Sequence, residues 1–266
     1  MTIKIPKNYM GRPIEGSLER VLASAQNQTS PNPSQSNLPS NIQISNISDA
    51  WQISGVAYRN GIYSVDLAKS LLENGSAKTQ DDWAAYAETA IAQNGFRTPD
   101  YPLLYGIVKA LYIARNDVSK AQEVEEAKQF LKSSARAKWL MTLTRVKYQA
   151  TGEDEVIHNH GTRERYSKNV NFVGSDELIS STNNILPYQF LLGTADDANE
   201  IKNTFEWLNG TNTYLWRVNS KQDTERVAGF GAGSDWAGLV CGGVASGAYS
   251  SLGVRIGAVG TAGSQK

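Results

Sequence analysis

The hydrophobic pattern changes period along the chain, from helical spacing before about residue 137 to strand-like alternation after it. From Asp49 two apolar runs flank Asn60-Gly61, the signal of a β-hairpin. Ser64 or Asp66 then reads as the cap of a helix through Leu67, Leu71 and Leu72 that stops at Asn74-Gly75. Thr79 and Asp81 precede Trp83, Tyr86, Ala87, Ala90 and Ile91 at helical spacing, and Asn94-Gly95 closes that run. Pro99-Asp100-Tyr101-Pro102 opens a third helix, with Leu104, Ile107, Val108, Leu111 and Tyr112 on one stripe. A fourth and more polar helix runs from Val118 to about Ala137, with Val124, Ala127, Phe130 and Leu131 facing in.

Beyond it the segment from Trp139 alternates. Leu140, Thr142, Thr144, Val146 and Tyr148 share one side, and Trp139, Met141 and Leu143 the other. A turn over Thr151–Asp154 leads into a strand-like Glu155–Asn159, and a loop-rich stretch runs on to Pro187. A last short helix covers Ala195 to Leu208, started by Thr194 or Asp196. Three strand-like pieces close the chain: Thr213–Ser220, Arg226–Phe230 followed by Trp236–Gly242, and Ser251–Val259. Helices first and short strands later make this an α+β protein, with no βαβ order and no internal repeat.

Composition narrows the function classes. Lys plus Arg and Asp plus Glu are both 26, so no overall charge draws the chain to nucleic acid or to an anionic membrane. No apolar stretch reaches the length of a membrane helix, and the first residues have no apolar core of a secretory signal. Residues 1–48 read as an N-terminal arm, with Ile3, Ile5, Tyr9, Met10, Ile14 and Leu18, followed by a Ser/Asn/Gln/Pro-rich linker from Gln26 to Asn41. That arm either packs on its own domain or joins neighbouring copies in a homo-oligomer. Residues 49–259 form the domain and residues 260–266 a flexible tail.

Catalytic chemistry finds little footing. His158 and His160 would share a face of a strand, but with two histidines and one remote Cys241 a third metal ligand would have to be acidic. Hydrogen-bonded loop histidines fit better. No G-x-S-x-G or phosphate-loop motif occurs, and the GFGAG run at 229–233 lacks the helix a dinucleotide site needs. Glu153, Asp154 and Glu155 read as a solvated turn, and Asp196-Asp197 as charges favoured at a helix start. Cys241 alternates with Leu239 and reads as a buried, inert thiol. No catalytic residue, metal or cofactor is assigned, and the expectation is a binding protein.

Glycine supplies the strongest signal. Of 23 glycines, 11 fall from Gly229 onward, and fifteen of the 23 residues Gly229–Ser251 are Gly, Ala or Ser, with Asp235 the only charge. Phe230, Trp236, Leu239, Val240, Cys241 and Tyr249 punctuate the segment, which runs into the apolar strand Leu252–Ile256. An ordered region with a small, uncharged outward face follows from this. Strand alternation puts Leu239 and Cys241 inward and Val240 and Gly242 outward. The expected contact set is Phe230, Gly231, Gly233, Asp235, Trp236, Gly238, Val240, Gly242, Gly243, Ala245, Gly247, Ala248 and Tyr249.

The series Trp216-Arg217, Arg226-Val227-Ala228, Leu239-Val240-Cys241 and Ser251-Leu252-Gly253-Val254-Arg255 resembles the C-terminal half of C-type-lectin-fold variable proteins of diversity-generating retroelements. Formylglycine-generating-enzyme-like domains share that fold, but their activity relies on cysteine pairs, which a single Cys241 does not provide. Gly253-Val254-Arg255 matches the constant last strand of the variable proteins, and diversified positions lie just before it. Adenine-directed change of Asn codons reaches every residue type between Gly229 and Ser251 except Trp236. The resemblance implies a C-type-lectin-like α+β fold, with an elaborated helical N-terminal half and short C-terminal strands. It also implies a hypervariable surface that recognises a protein or glycan on another surface, and a place on a virion or cell surface. Arg217 and Arg255 would support the scaffold. The other reading is an oligomeric structural protein of a virion or cell surface.

Overall fold

The computed structural model describes residues 42–259, with side chains to residue 257, and the backbone of residues 8–9 and 12–13. The chain divides into two units, residues 1–38 and 39–266. In the first, β1 (Asn8–Tyr9) pairs antiparallel with β2 (Arg12–Pro13). The rest of the expected arm, the linker Gln26–Asn41 and the tail 260–266 lie outside the described residues.

The second unit opens with β3 (Ile44–Asn46), β4 (Ala50–Tyr58) and β5 (Gly61–Leu71), and its last strand, β13 (Leu252–Val259), returns to β5. The order is β13-β5-β4-β3, antiparallel throughout. Strand β3 lies within residues 1–48, which the sequence reads as arm and linker outside the domain. The hairpin forms where expected, with Arg59 and Asn60 as its two-residue turn between the paired Tyr58 and Gly61. The helix predicted through Leu67, Leu71 and Leu72 is absent, because that sequence is the central strand β5. Flanked by β4 and β13 and buried on both faces, Val65–Ala68 form a continuous buried run that no longer alternates. Asn74-Gly75 still marks a stop, here a 3₁₀ turn over Leu72–Gly75. Asp66 caps nothing; its Oδ2 accepts from Arg255 Nε and Nη2 at 2.9 and 2.8 Å.

Three helices follow. In α1 (Gln80–Gln93) Thr79 Oγ1 accepts from the Asp82 N–H, and Asn94 ends the helix in the left-handed conformation. In α2 (Tyr101–Ala114) Asp100 accepts from the Leu103 N–H, and Pro102 sits in the first turn where no N–H is needed. This helix is buried almost all round, wider than the single stripe its spacing suggests. Next, α3 (Ala121–Ala137) buries Val124, Ala127 and Leu131.

The second sheet comprises β6 (Leu140–Tyr148), β7 (Asp154–His158), β8 (Tyr166–Val170), β9 (Glu177–Leu178), β10 (Thr213–Trp216), β11 (Thr224–Ala232) and β12 (Ala237–Val244). Its order is β8-β7-β6-β11-β12-β10-β9, and it is curled. Helices α4 (Leu186–Leu192) and α5 (Ala198–Asn209) are inserted between β9 and β10. The loop-rich reading of 160–187 misses β8, β9 and the start of α4. The strand Tyr166–Val170 is mostly polar with three exposed central residues, and α4 is only seven residues long, so neither carries a period. The cap of α5 is Asp197, which accepts from the Glu200 N–H, so the helix starts three residues later than expected. Asp196 is instead buried, taking hydrogen bonds from Tyr105 Oη at 2.6 Å and Lys109 Nζ at 3.1 Å.

One face of the β6–β11–β12–β10 region packs on α2, α3, α4 and α5 through Phe205, Leu215, Phe230, Leu239 and Cys241. Part of the opposite face, around Met141, Leu143 and Val227, is covered by Trp83, Ala84 and Ala87 of α1. The chain returning from β12 to β13 is stitched to both sheets. Met141 N–H donates to Ser250 at 2.8 Å, Leu72 N–H to Ser251 at 3.0 Å, and Trp83 Nε1 to the Tyr249 carbonyl at 2.8 Å. The face of β10–β12 beyond the reach of α1 is left open.

Candidate recognition groove

That open face is built by pairing. The parallel β10/β12 register sets Tyr214 beside Gly238 and Trp216 beside Val240, so both aromatics rise on the face opposite Leu215 and Leu239. Tyr214 and Trp216 stack at 6.2 Å with planes 10° apart, and Trp236 meets Trp216 edge-on at 4.7 Å. Across β12, Trp139 stacks on Tyr249 at 6.0 Å and is 41% exposed. Between the two aromatic groups lies a groove of about 450 Å³, lined by Trp139, Trp216, Tyr249, Val240, Gly242, Gly243, Val244, Asp176 and Arg217.

Glycine makes this possible by absence of a side chain. A Cβ on Gly238 would overlap the six-membered ring of Trp216, and one on Gly233 would overlap the indole of Trp236. The rings therefore pack against bare backbone. Gly242, by contrast, has nothing within 4 Å of a built Cβ. Gly238→Val is expected to displace Trp216 and cost about 1–3 kcal/mol, whereas Gly242→Val is expected to stay within about 0.5 kcal/mol. Paired thermal melts and tryptophan emission spectra check this; equal melting of the two variants would show that Trp216 does not need the space.

The groove's polar end is held by Arg217 and Asp154. Arg217 donates from its backbone N–H to Asp176 Oδ1 at 3.0 Å and from Nε to the Ser175 carbonyl at 3.2 Å. Its Nη1 reaches the Phe172 carbonyl at 3.3 Å and its Nη2 Glu177 Oε1 at 2.9 Å. Arg217 thus spends its guanidinium on the 172–177 loop, as a scaffold residue. Asp154 corrects the reading of a solvated acidic turn: it is fully buried and surrounded by donors. It accepts from the N–H groups of Gln149, Phe172 and Val173 at 3.0, 2.8 and 2.9 Å, and from Lys221 Nζ at 3.2 Å. Burial would raise its pKa, but these bonds win and hold it below the usual carboxylate range.

The expected contact residues divide. Phe230 is in the core, because it pairs with inward-facing Leu239 and packs on Phe205 at 5.6 Å. Gly231 and Gly238, a cross-strand pair, are buried beneath Trp139 and Trp216. Val240 lies on the expected face but is 5% exposed, as the floor of the groove. Asp235, Gly242 and Ala248 are exposed, and Gly233, Trp236, Gly243, Ala245, Gly247 and Tyr249 are half-buried. Leu239 and Cys241 point inward as read, and burial pushes the Cys241 thiol well up.

No protein-family model, curated protein or solved structure matches this chain. The site therefore rests on its own geometry. Sequence reasoning missed Trp139, Tyr214, Trp216, Val244 and Asp176. Alternation opposite Leu140 and Leu215 points Trp139 and Trp216 away from the core, a signal available in the sequence.

The histidines do not form a site together. His158 is buried, and its Nε2 lies 3.0 Å from the Phe190 carbonyl, which only accepts, so Nε2 carries the proton and Nδ1 accepts from Thr144 Oγ1 at 3.0 Å. Both ring nitrogens are used, leaving none for a metal or a substrate. His160 Nε2 instead meets Asp81 Oδ1 at 3.1 Å, beside buried Arg145. Among the described residues no group of three His, Cys, Asp or Glu is placed to hold a metal, and no helix is long and apolar enough to cross a membrane.

Proposed function

We propose that this chain is a ligand-binding protein with a C-type-lectin-like α+β domain, which displays the β10–β12 face and the loop to β13 for recognition of a partner on another surface. The observation that carries the reading is the open aromatic groove seated on glycine, in a segment with one charge between residues 229 and 251. Exposed Trp139 and half-buried Trp216, each stacked on a neighbouring ring, give contact area at low ordering cost, and small neighbours leave room for a partner. Chain order adds support: a first hairpin, then helices, then antiparallel β6, β11 and β12, and a last strand that returns to β5 through Gly253-Val254-Arg255.

Diversification by a retroelement fits the exposed positions Gly242, Val244, Ser246 and Ala248, where the core needs no side chain. Large polar replacements at those four positions are expected to leave the melting temperature nearly unchanged and to change partner binding. Loss of folding or of assembly would favour a structural role instead. A near-identical repeat of the 3′ coding end beside a reverse transcriptase, differing at adenines, tests the retroelement; its absence removes that part.

A further inference from the structure

We infer that the ligand of this groove is a neutral saccharide, a step that rests on the recognition reading above. A pyranose ring presents an apolar C–H face and a rim of hydroxyls, so its site needs exposed aromatic faces, hydrogen-bond acceptors at the edge and little charge. The groove supplies all three. Trp139, 41% exposed, and Trp216 offer indole surface on opposite sides of Val240, and neither ring is free to collapse. Trp216 is braced by Tyr214 and Trp236, and Trp139 by Tyr249, so binding does not have to order them. The volume of about 450 Å³ is that of a small-ligand site.

The polar end selects further. Arg217 lines the groove, but its guanidinium is engaged with Phe172, Ser175 and Glu177. Asp176 is exposed and takes one backbone N–H on Oδ1, which leaves Oδ2 to accept from hydroxyls. With the lining guanidinium already paired to Glu177 and Asp176 Oδ2 left as an acceptor, this end complements a hydroxyl-bearing ligand better than a phosphorylated or carboxylated one. A peptide ligand lacks a reason to meet a carboxylate between two indoles unless it is basic, and that alternative is left to the experiment.

The test titrates the full chain with neutral oligosaccharides of glucose, galactose, mannose, rhamnose and N-acetylglucosamine, read by tryptophan fluorescence and saturation-transfer NMR. A peptide library is selected on the same protein in parallel. At least one sugar series is expected to bind, with saturation reaching one face of the ring. Trp139→Ala and Trp216→Ala are each expected to weaken it at least about tenfold, while Trp216→Phe, which keeps a ring, loses less. Asp176→Asn is expected to weaken binding without moving the melting temperature. Sugar binding that ignores both tryptophan variants overturns the groove assignment. If no sugar binds but selected peptides do, and Trp216→Ala abolishes them, the saccharide is wrong and the recognition face stands. If neither ligand class is retained, the recognition reading falls with it.

Discussion

Asp154→Ala is expected to lower folding stability by about 3–5 kcal/mol. The carboxylate is fully buried, and its removal takes the acceptor from three backbone N–H groups, that of buried Phe172 among them. Asp154→Asn should do little better, since every neighbour is a donor and the new amide NH₂ would face one of them. Lys221→Met should cost much less, within about 1 kcal/mol, because that ammonium is 36% exposed and water replaces the pair. Urea denaturation of the three variants gives the ranking, and a wild-type midpoint for Asp154→Ala would refute it. The effect should also be local: amide exchange should quicken over 172–178, the loop that sets Asp176 at the groove. The pH dependence has a definite sign. With its pKa held below that of the unfolded chain, Asp154 contributes stability above about pH 3.9 that is lost as pH falls through the lowered value. Asp154→Ala should therefore have a flatter acid limb.

Asp154 also shows where sequence reading fails. Three acidic residues in a turn look solvated, and nothing local says that the middle one faces the backbone of a loop some twenty residues on. The same limit explains β5: Leu67, Leu71 and Leu72 fit a helical stripe, and only the return of β13 from the far end of the chain makes the segment a central strand. Where local signals suffice, they hold. Thr79, Asp100 and the left-handed Asn94 bound their helices as capping chemistry requires. The outward direction of Val240 and Gly242 follows from alternation alone. Phe230 was misplaced for want of its cross-strand partner, since pairing with Leu239 decides its side. The groove was half legible: its glycines stood out in the composition, but the rings they accommodate come from residues 139, 216 and 249, which only the sheet brings together.

Asp100→Asn is expected to make folding stability fall by roughly 3 kcal/mol between pH 6.5 and pH 4, where the wild type changes much less. Two buried groups with opposite linkage produce this. Asp100 is pushed up to about 6 by burial, which outweighs its bonds from the Leu103 N–H and the Tyr58 hydroxyl and the nearby Arg59 and Arg97. Its folded pKa exceeds its unfolded one, so its contribution is full below about pH 3.9 and is lost as pH rises through about 6. His158 is pushed down to about 4, first by burial and then by Lys168 and Arg59, against the Phe190 carbonyl that favours its proton. Its contribution is full above about pH 6.5 and is lost as pH falls through about 4. Over the shared window the two slopes oppose each other and nearly cancel. Asn is a good helix cap and its Oδ1 still accepts from the Leu103 N–H, while the Tyr58 and Tyr166 hydroxyls, which donate to Asp100 Oδ2 in the wild type, have to turn and accept from the new NH₂. The substitution thus removes the titration with little change in packing, and the slope of His158 stands alone. Denaturant titrations at intervals from pH 4 to pH 7 measure it, and parallel profiles for variant and wild type would show that the two groups do not offset one another.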